Sequence, residues 1–179
     1  MWFNNTFVNA LCRMGWRNGP FKIIGDCAMF FIPEAALDEK SDHALFLFDR
    51  LYGLAAELDD SSYRDVRVCV SFCQEAYDLT FEPDRPDVYG MDISLAFRLL
   101  RVANAREVVM NEEFVRRVRE IYSRLHDKVP YSEVEKIVGP WPEEIKGFGV
   151  IPIYKVAALP ALTPGRWESG GVAERSKGI

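Results

Sequence analysis

The chain has 179 residues, 27% of them charged and 49% hydrophobic, enough for one domain with its own apolar core. Its formal net charge is −5 and it carries no basic block, which argues against a nucleic-acid partner, although a local cluster of cations could still hold one triphosphate. No apolar run approaches the ~20 residues of a membrane helix, and Met1-Trp2-Phe3-Asn4-Asn5-Thr6 lacks the charged and apolar regions of a signal peptide, so a cytoplasmic location without membrane insertion is expected.

Residues 3–14 read as a helix that enters the next element through Gly15, Asn18, Gly19 and Pro20. The run Phe21-Lys22-Ile23-Ile24-Gly25-Asp26-Cys27-Ala28-Met29-Phe30-Phe31 then predicts a hairpin over 21–32. Its arms are aromatic and β-branched, and Gly25-Asp26 supplies a two-residue turn. A carboxylate at such a tip is held by rigid backbone yet reaches solvent, which suits a hard-cation ligand; the other reading of Asp26 is a turn former. Lys22, in so apolar a run, needs a partner or an exit to water.

Pro33 ends the hairpin, and Ser41 or Asp42 can cap a helix running to about Leu58. Its apolar face carries Ala44, Leu47, Phe48, Leu51, Leu54 and Ala55. Val66–Cys73 reads as a strand with Val66, Val68, Val70 and Phe72 on one side, and Tyr77–Phe81 as its partner. A loop at 82–86 leads to a helix over Met91–Ala105. Arg98 is the lone charge between Asp92 and Arg101 on that mostly apolar helix, with Ser94 one turn before it on the same face. Such an Arg is either paired with a carboxylate or kept for an anion.

A short strand over Glu107–Met110 precedes Asn111, an N-cap for a helix running to about Leu125, with Glu112 and Glu113 complementing its dipole. Residues 127–143 read as loop-rich, 144–157 as a last hairpin, and 158–179 as a disordered tail. The expected organisation is therefore one domain, 1–157, followed by that tail, and the mixture of helices and strands points to an α+β fold. Of the four cysteines, Cys12, Cys27, Cys69 and Cys73, none forms a Cys-x-x-Cys pair. Cys69 and Cys73 would share a strand face about 13 Å apart, too far for a disulfide, so reduced, buried thiols are expected. His43 and His126 are the only histidines, too few for a His-based zinc site or a Ser-His-Asp triad to be expected.

Three blocks, in order, carry a resemblance. Lys22-x-x-Gly25-Asp26 resembles a strand pair of the class III nucleotide cyclase catalytic domain. Asp87-Val88-Tyr89-Gly90-Met91-Asp92-Ile93-Ser94-Leu95-Ala96-Phe97-Arg98 resembles that family's Asp-x-x-Gly-x-x-Val-Asn-x-Ala-x-Arg motif. Glu144-Ile145-Lys146-Gly147, followed by Ile151-Pro152-Ile153-Tyr154-Lys155-Val156, resembles its closing Lys-Gly hairpin and last strand. The resemblance implies a ferredoxin-like α+β core and an enzyme that joins the ribose 3′-hydroxyl of a nucleoside triphosphate to its α-phosphate, releasing pyrophosphate.

It also implies residue roles. Asp26 matches one of two metal-binding Asp residues, for Mg2+ or Mn2+. Lys22 and Asp87 match the base-reading pair, a combination closer to the adenylyl than to the guanylyl pattern, so ATP is favoured. Arg98 matches the Arg that meets charge developing on the α-phosphate, and Lys146 a phosphate-contacting Lys. Ser94 stands where Asn is usual and works near the ribose. Family sites form between two domains, which implies a head-to-tail homodimer with Asp26 of one subunit facing Lys22, Asp87, Arg98 and Lys146 of the other.

Three departures qualify the resemblance. The family's first strand and its metal-binding Asp are expected to be missing, as in a fragment or a degenerate cyclase. Cys69 and Cys73 stand where small glycines are usual, and Ser94 replaces Asn. Alternatives to an ATP cyclase are thus a catalytically impaired, cyclase-like nucleotide-binding or regulatory module, a pyrimidine (UTP or CTP) cyclase of an anti-phage system, and an unrelated ferredoxin-like domain.

Overall fold

The computed structural model describes residues 22–24, 27–31, 45, 47–49, 51–53, 55, 67–79, 87–125 and 133–157. The expected helix at 3–14, the turn residues Gly25 and Asp26, the 82–86 loop and the 158–179 tail lie outside these residues. The first hairpin forms where the sequence predicts it. Strands β1 (Lys22–Ile24) and β2 (Cys27–Met29) pair antiparallel, with Lys22 opposite Met29 and Ile24 opposite Cys27.

Among the described residues the main sheet has four strands, β3 (Val68–Val70), β6 (Glu107–Asn111), β7 (Val138–Ile145) and β8 (Gly149–Ala157), in the order β3-β6-β8-β7. β3 runs parallel to β6; the other two pairings are antiparallel. β4 (Tyr77–Asp78) and β5 (Val88–Tyr89) form a separate two-stranded ribbon. Helices α1 (Met91–Leu99) and α2 (Glu112–Leu125) flank β6 in the chain.

Side chains alternate across β6, and both of its faces are dry: Val108, Val109 and Met110 are all fully buried. On one face Val108 and Met110 join Val68, Val70, Tyr154 and Val156 beneath Phe114, Val115 and Val118 of α2 and the helical residues of the 45–55 segment. In that segment Leu45, Phe48, Tyr52 and Ala55 point inward, with Leu47 and Leu51 packed at the margin, so the buried stripe lies beside the predicted one and overlaps it. On the other face Val109, Ile145 and Ile153 pack against Leu99 of α1 and Ala103. The sheet is thus covered on both sides, and α1 is fixed to it by its last turn.

Several element boundaries differ from the sequence reading, each for a local reason. The predicted strand 66–73 contracts to β3, because Phe72 leaves the ladder: its N–H donates to Asn111 Oδ1 and its carbonyl accepts from Asn111 Nδ2, both at 3.0 Å. Asn111 Oδ1 also accepts from the Phe114 N–H at 3.2 Å, so one side chain caps α2 and replaces a missing strand partner. The predicted helix to Ala105 stops at Leu99 and gives way to turns. Lys155 Nζ donates to the carbonyl of Val102 at 3.1 Å, satisfying a group the ending helix leaves open. Of the predicted strand at 77–81, Tyr77 and Asp78 are laddered, to β5 and not to β3 as the sequence reading expects, because β3 pairs with β6 instead; 80 and 81 lie outside the described residues.

The largest correction concerns 127–143. A 3-10 turn occupies Glu133–Lys136, and β7 begins at Val138. Gly139, Pro140 and Pro142 are strand breakers by pattern, but β7 is at the edge of the sheet, where one side of the strand needs no partner. A register shift between Val138 and Trp141 takes up the irregularity.

Candidate functional site

Two groups of the predicted site residues come together, one before α1 and one at its end. In the first, Lys22 Nζ donates to Asp87 Oδ2 at 2.5 Å, a contact across 65 residues of chain. Asp87 is held by backbone: its carbonyl accepts from the Leu79 N–H at 2.9 Å, and its Oδ1 accepts from the Val88 N–H at 2.9 Å. The Lys22 hydrogen bond is the main reason the Asp87 carboxyl lies below the usual carboxylate range, so the acceptor is ionised at neutral pH. Both side chains are about two-fifths exposed, and the pair faces solvent.

Between Asp87 and Arg98 the chain is anchored twice. A Cβ on Gly90 would sit 2.5 Å from the carbonyl oxygen of Glu75, closer than real contacts allow. The φ of Gly90 is extended, so space and not conformation demands glycine there. Asp92 Oδ2 accepts from the Gln74 N–H at 2.8 Å. The first helical bond then runs from the Ser94 N–H to the Gly90 carbonyl at 3.0 Å. Ser94 is half-buried, one turn before Arg98.

The second group gathers at the turn between β7 and β8. The Phe148 N–H donates to the Ile145 carbonyl at 2.8 Å, and Gly147 and Gly149 take positive φ angles of 85° and 75°, which glycine adopts without steric cost. This turn reaches the last turn of α1. The Arg98 guanidinium carbon is 5.8 Å from the centre of the Phe148 ring, and a Cβ on Gly147 would be 4.0 Å from Arg98 Nη2. Arg98 is half-buried and forms no ion pair among the described residues. Lys146, next to Gly147 in the turn, is exposed.

The chain therefore brings Lys22 to Asp87, and Arg98 to the turn that holds Gly147 and Phe148. Among the described residues no hydrogen bond or ion pair joins the two groups. Asp26 lies outside the described residues, and no cluster of three His, Cys, Asp or Glu among those residues could hold a metal ion.

Cys69 and Cys73 are half-buried, short of the full burial the sequence reading expects, and Cys12 lies outside the described residues. Among the described residues Cys69 and Cys73 form no disulfide. Burial pushes the Cys69 thiol up to about 12, with Cys73 and Cys27 adding to the effect, and burial pushes Cys73 up to about 11, with Asp92 adding to it. Cys69 and Cys73 do not share one strand face, because residues 71–73 have left the ladder. Sequence reasoning missed Phe148. Its signal was an aromatic residue placed inside a glycine-flanked turn, where a polar residue is usual.

No family model and no curated protein matches the sequence. Solved structures do match in fold. The adenylyl cyclase CyaB from P. aeruginosa superposes with a TM-score of 0.56 at 18% identity, covering 87% of this chain and 78% of that one. The guanylate cyclase domain of RhGC from Catenaria anguillulae, in complex with GTP, gives a TM-score of 0.51 at 16% identity over 88% of this chain and 80% of its own. The catalytic core of a rhodopsin-guanylyl cyclase with converted specificity, in complex with ATPalphaS, gives 0.54 at 15% identity, covering 87% and 79%. With helices on both faces of its sheet, and with neighbours of this kind along most of its length, the chain has the α+β fold of class III nucleotide cyclase catalytic domains.

Proposed function

We propose that this chain is a nucleotide cyclase, a phosphorus–oxygen lyase that converts a nucleoside triphosphate, with ATP favoured, to a 3′,5′-cyclic nucleotide and pyrophosphate. The observation that carries the reading is the convergence of separate motif residues on a cyclase fold: Lys22 with Asp87, and Arg98 with the Lys146-Gly147 turn. These residues come from four different elements or turns.

In this reading the exposed edges of Lys22 and Asp87 read the base. Lys22 donates to a ring acceptor, and the ionised Asp87 accepts from an exocyclic amino group. Adenine presents that donor beside that acceptor, as does cytosine, whereas uracil has no amino group. The Arg98 fork meets the α-phosphate as the 3′-oxygen attacks and negative charge spreads over its oxygens. Lys146 contacts the phosphates as a mobile point charge. Ser94 reaches the ribose through water, being shorter than the usual Asn. The proton leaving the 3′-hydroxyl goes to solvent, and the bridging oxygen departs with pyrophosphate.

Mg2+ or Mn2+ would supply charge neutralisation and a lower pKa for the 3′-hydroxyl. Its proposed ligand is Asp26, and the described residues alone provide no set of donors that fits the ion. The cyclase unit is proposed to span 1–157 and to work as a head-to-tail homodimer, with Asp26 facing the other four residues across the interface. The neighbours' complexes with GTP and with ATPalphaS support a nucleoside triphosphate as substrate. Among the described residues no helix is long and apolar enough to cross a membrane.

A second reading, a cyclase-like module that binds nucleotide without turnover, is favoured by Ser94. The deciding experiment offers each of the four nucleoside triphosphates with Mn2+ and with Mg2+ to the protein and to Arg98→Ala. One cyclic product, reduced at least ~100-fold by the substitution, is expected. No product from any triphosphate, with calorimetric binding retained, would establish the second reading instead.

A further inference from the structure

We infer that Phe148 is a positioning residue for Arg98, holding its guanidinium in a fixed orientation while leaving its N–H donors free for an anion. The inference rests on the cyclase reading for what Arg98 does, but not for how it is held. A half-buried Arg on an apolar helix needs an electrostatic partner, and a carboxylate is the common one. Arg98 has none among the described residues. Instead its guanidinium carbon lies 5.8 Å from the centre of the Phe148 ring, within the ~6 Å at which the ring quadrupole attracts a cation.

The two kinds of partner differ in consequence. A carboxylate would occupy the N–H fork and cancel its charge. An aromatic ring holds the cation and consumes no donors, which suits an Arg whose task is to meet charge that appears only during reaction. The ring is itself fixed from below, since Phe148 packs against the cluster of Leu99, Ala103, Val109, Ile145 and Ile153. Its backbone is fixed by the bond to Ile145. Gly147, whose φ of 85° turns the chain into Phe148, lies beside the fork without crowding it: a Cβ there would be at an ordinary contact distance of 4.0 Å from Arg98 Nη2.

The test compares the wild type with Phe148→Leu, which keeps apolar volume but removes the ring, and with Phe148→Tyr, which keeps the ring. Phe148→Met replaces Phe148→Leu if the latter does not fold, as judged by circular dichroism. Two readouts are taken: kcat and KM for the triphosphate that is cyclised, and 15N relaxation of the Arg98 Nε–H, assigned by its loss in Arg98→Lys. The expected result is a fall in kcat of about tenfold in Phe148→Leu, with KM changed less than about twofold and Phe148→Tyr near wild type. The Arg98 Nε–H is expected to be ordered in the wild type and in Phe148→Tyr, and to loosen in Phe148→Leu. Equal order in all three proteins would overturn the inference, as would a fall in kcat that Phe148→Tyr does not rescue. Absence of cyclisation by the wild type would overturn the proposed function alone, and the relaxation data would still decide the role of Phe148.

Discussion

Lys22 and Asp87 show how little a close contact contributes when it faces water, and how much it can specify. Side-chain entropy and solvent screening keep such exposed pairs weak, so this one adds little to stability, and under the proposed function its part is recognition. Its pH dependence has a definite sign. Because Lys22 holds the folded Asp87 carboxyl below its ordinary 3.8, the unfolded chain takes up that proton more readily than the folded one. The stabilisation is complete above the unfolded value and is lost as pH falls through the folded one. The stability difference between wild type and Asp87→Asn, measured by urea unfolding, should therefore be constant from neutral pH to about pH 5 and vanish on further acidification. The same substitution should reduce kcat/KM for the preferred triphosphate by about 10–100-fold, because an amide in place of a carboxylate weakens the acceptor offered to the amino group.

At the level of elements, the N-terminal junctions of the two helices flanking β6 carry the strongest packing predictions. At the start of α1 the Gly90 backbone lies against the Glu75 carbonyl, with no space for a methyl group. Gly90→Ala should destabilise the protein by about 1–3 kcal/mol in urea unfolding, since backbone must shift to admit it. At the start of α2, Asn111 joins three backbone groups at once, the N–H and carbonyl of Phe72 and the N–H of Phe114. Asn111→Ala removes a helix cap and strands two part-buried polar groups, and should cost about 2–3 kcal/mol. In the sequence Asn111 is legible as a cap, because Asn before two acidic residues opens many helices. Its second role is not legible, because Phe72 is distant in the chain and meets it only once β3 and β6 pair in parallel. The same holds for β7. Gly139, Pro140 and Pro142 erase a strand pattern, and only the edge position explains why a strand survives them.

For the whole molecule, the proposed dimer makes a prediction that no single chain can satisfy. Asp26→Ala and Arg98→Ala, each inactive alone, should regain activity when mixed and allowed to exchange subunits. Half of the dimers are then mixed, and each mixed dimer has one intact site of two, so about a quarter of wild-type activity is expected. Failure to regain activity, with light scattering showing a dimer, would place both residues in the same subunit's site. A monomer at micromolar concentration in the presence of nucleotide would reject the shared site.

The sequence by itself determined the α+β class, the first hairpin, the extent of α2, the positions of the three motif blocks and the identity of the candidate residues. These are local properties, set by periodicity, turn chemistry and caps, and they need no knowledge of what lies across the fold. Only the tertiary structure decided which of those residues meet. Lys22 finds Asp87, Phe72 finds Asn111, and the turn between β7 and β8 finds the end of α1, in each case across a long stretch of chain. The meeting of Phe148 with Arg98 is illegible for the same reason: its place in a glycine-flanked turn can be read from the chain, but the two are brought together by a sheet whose strand order the chain order does not reveal.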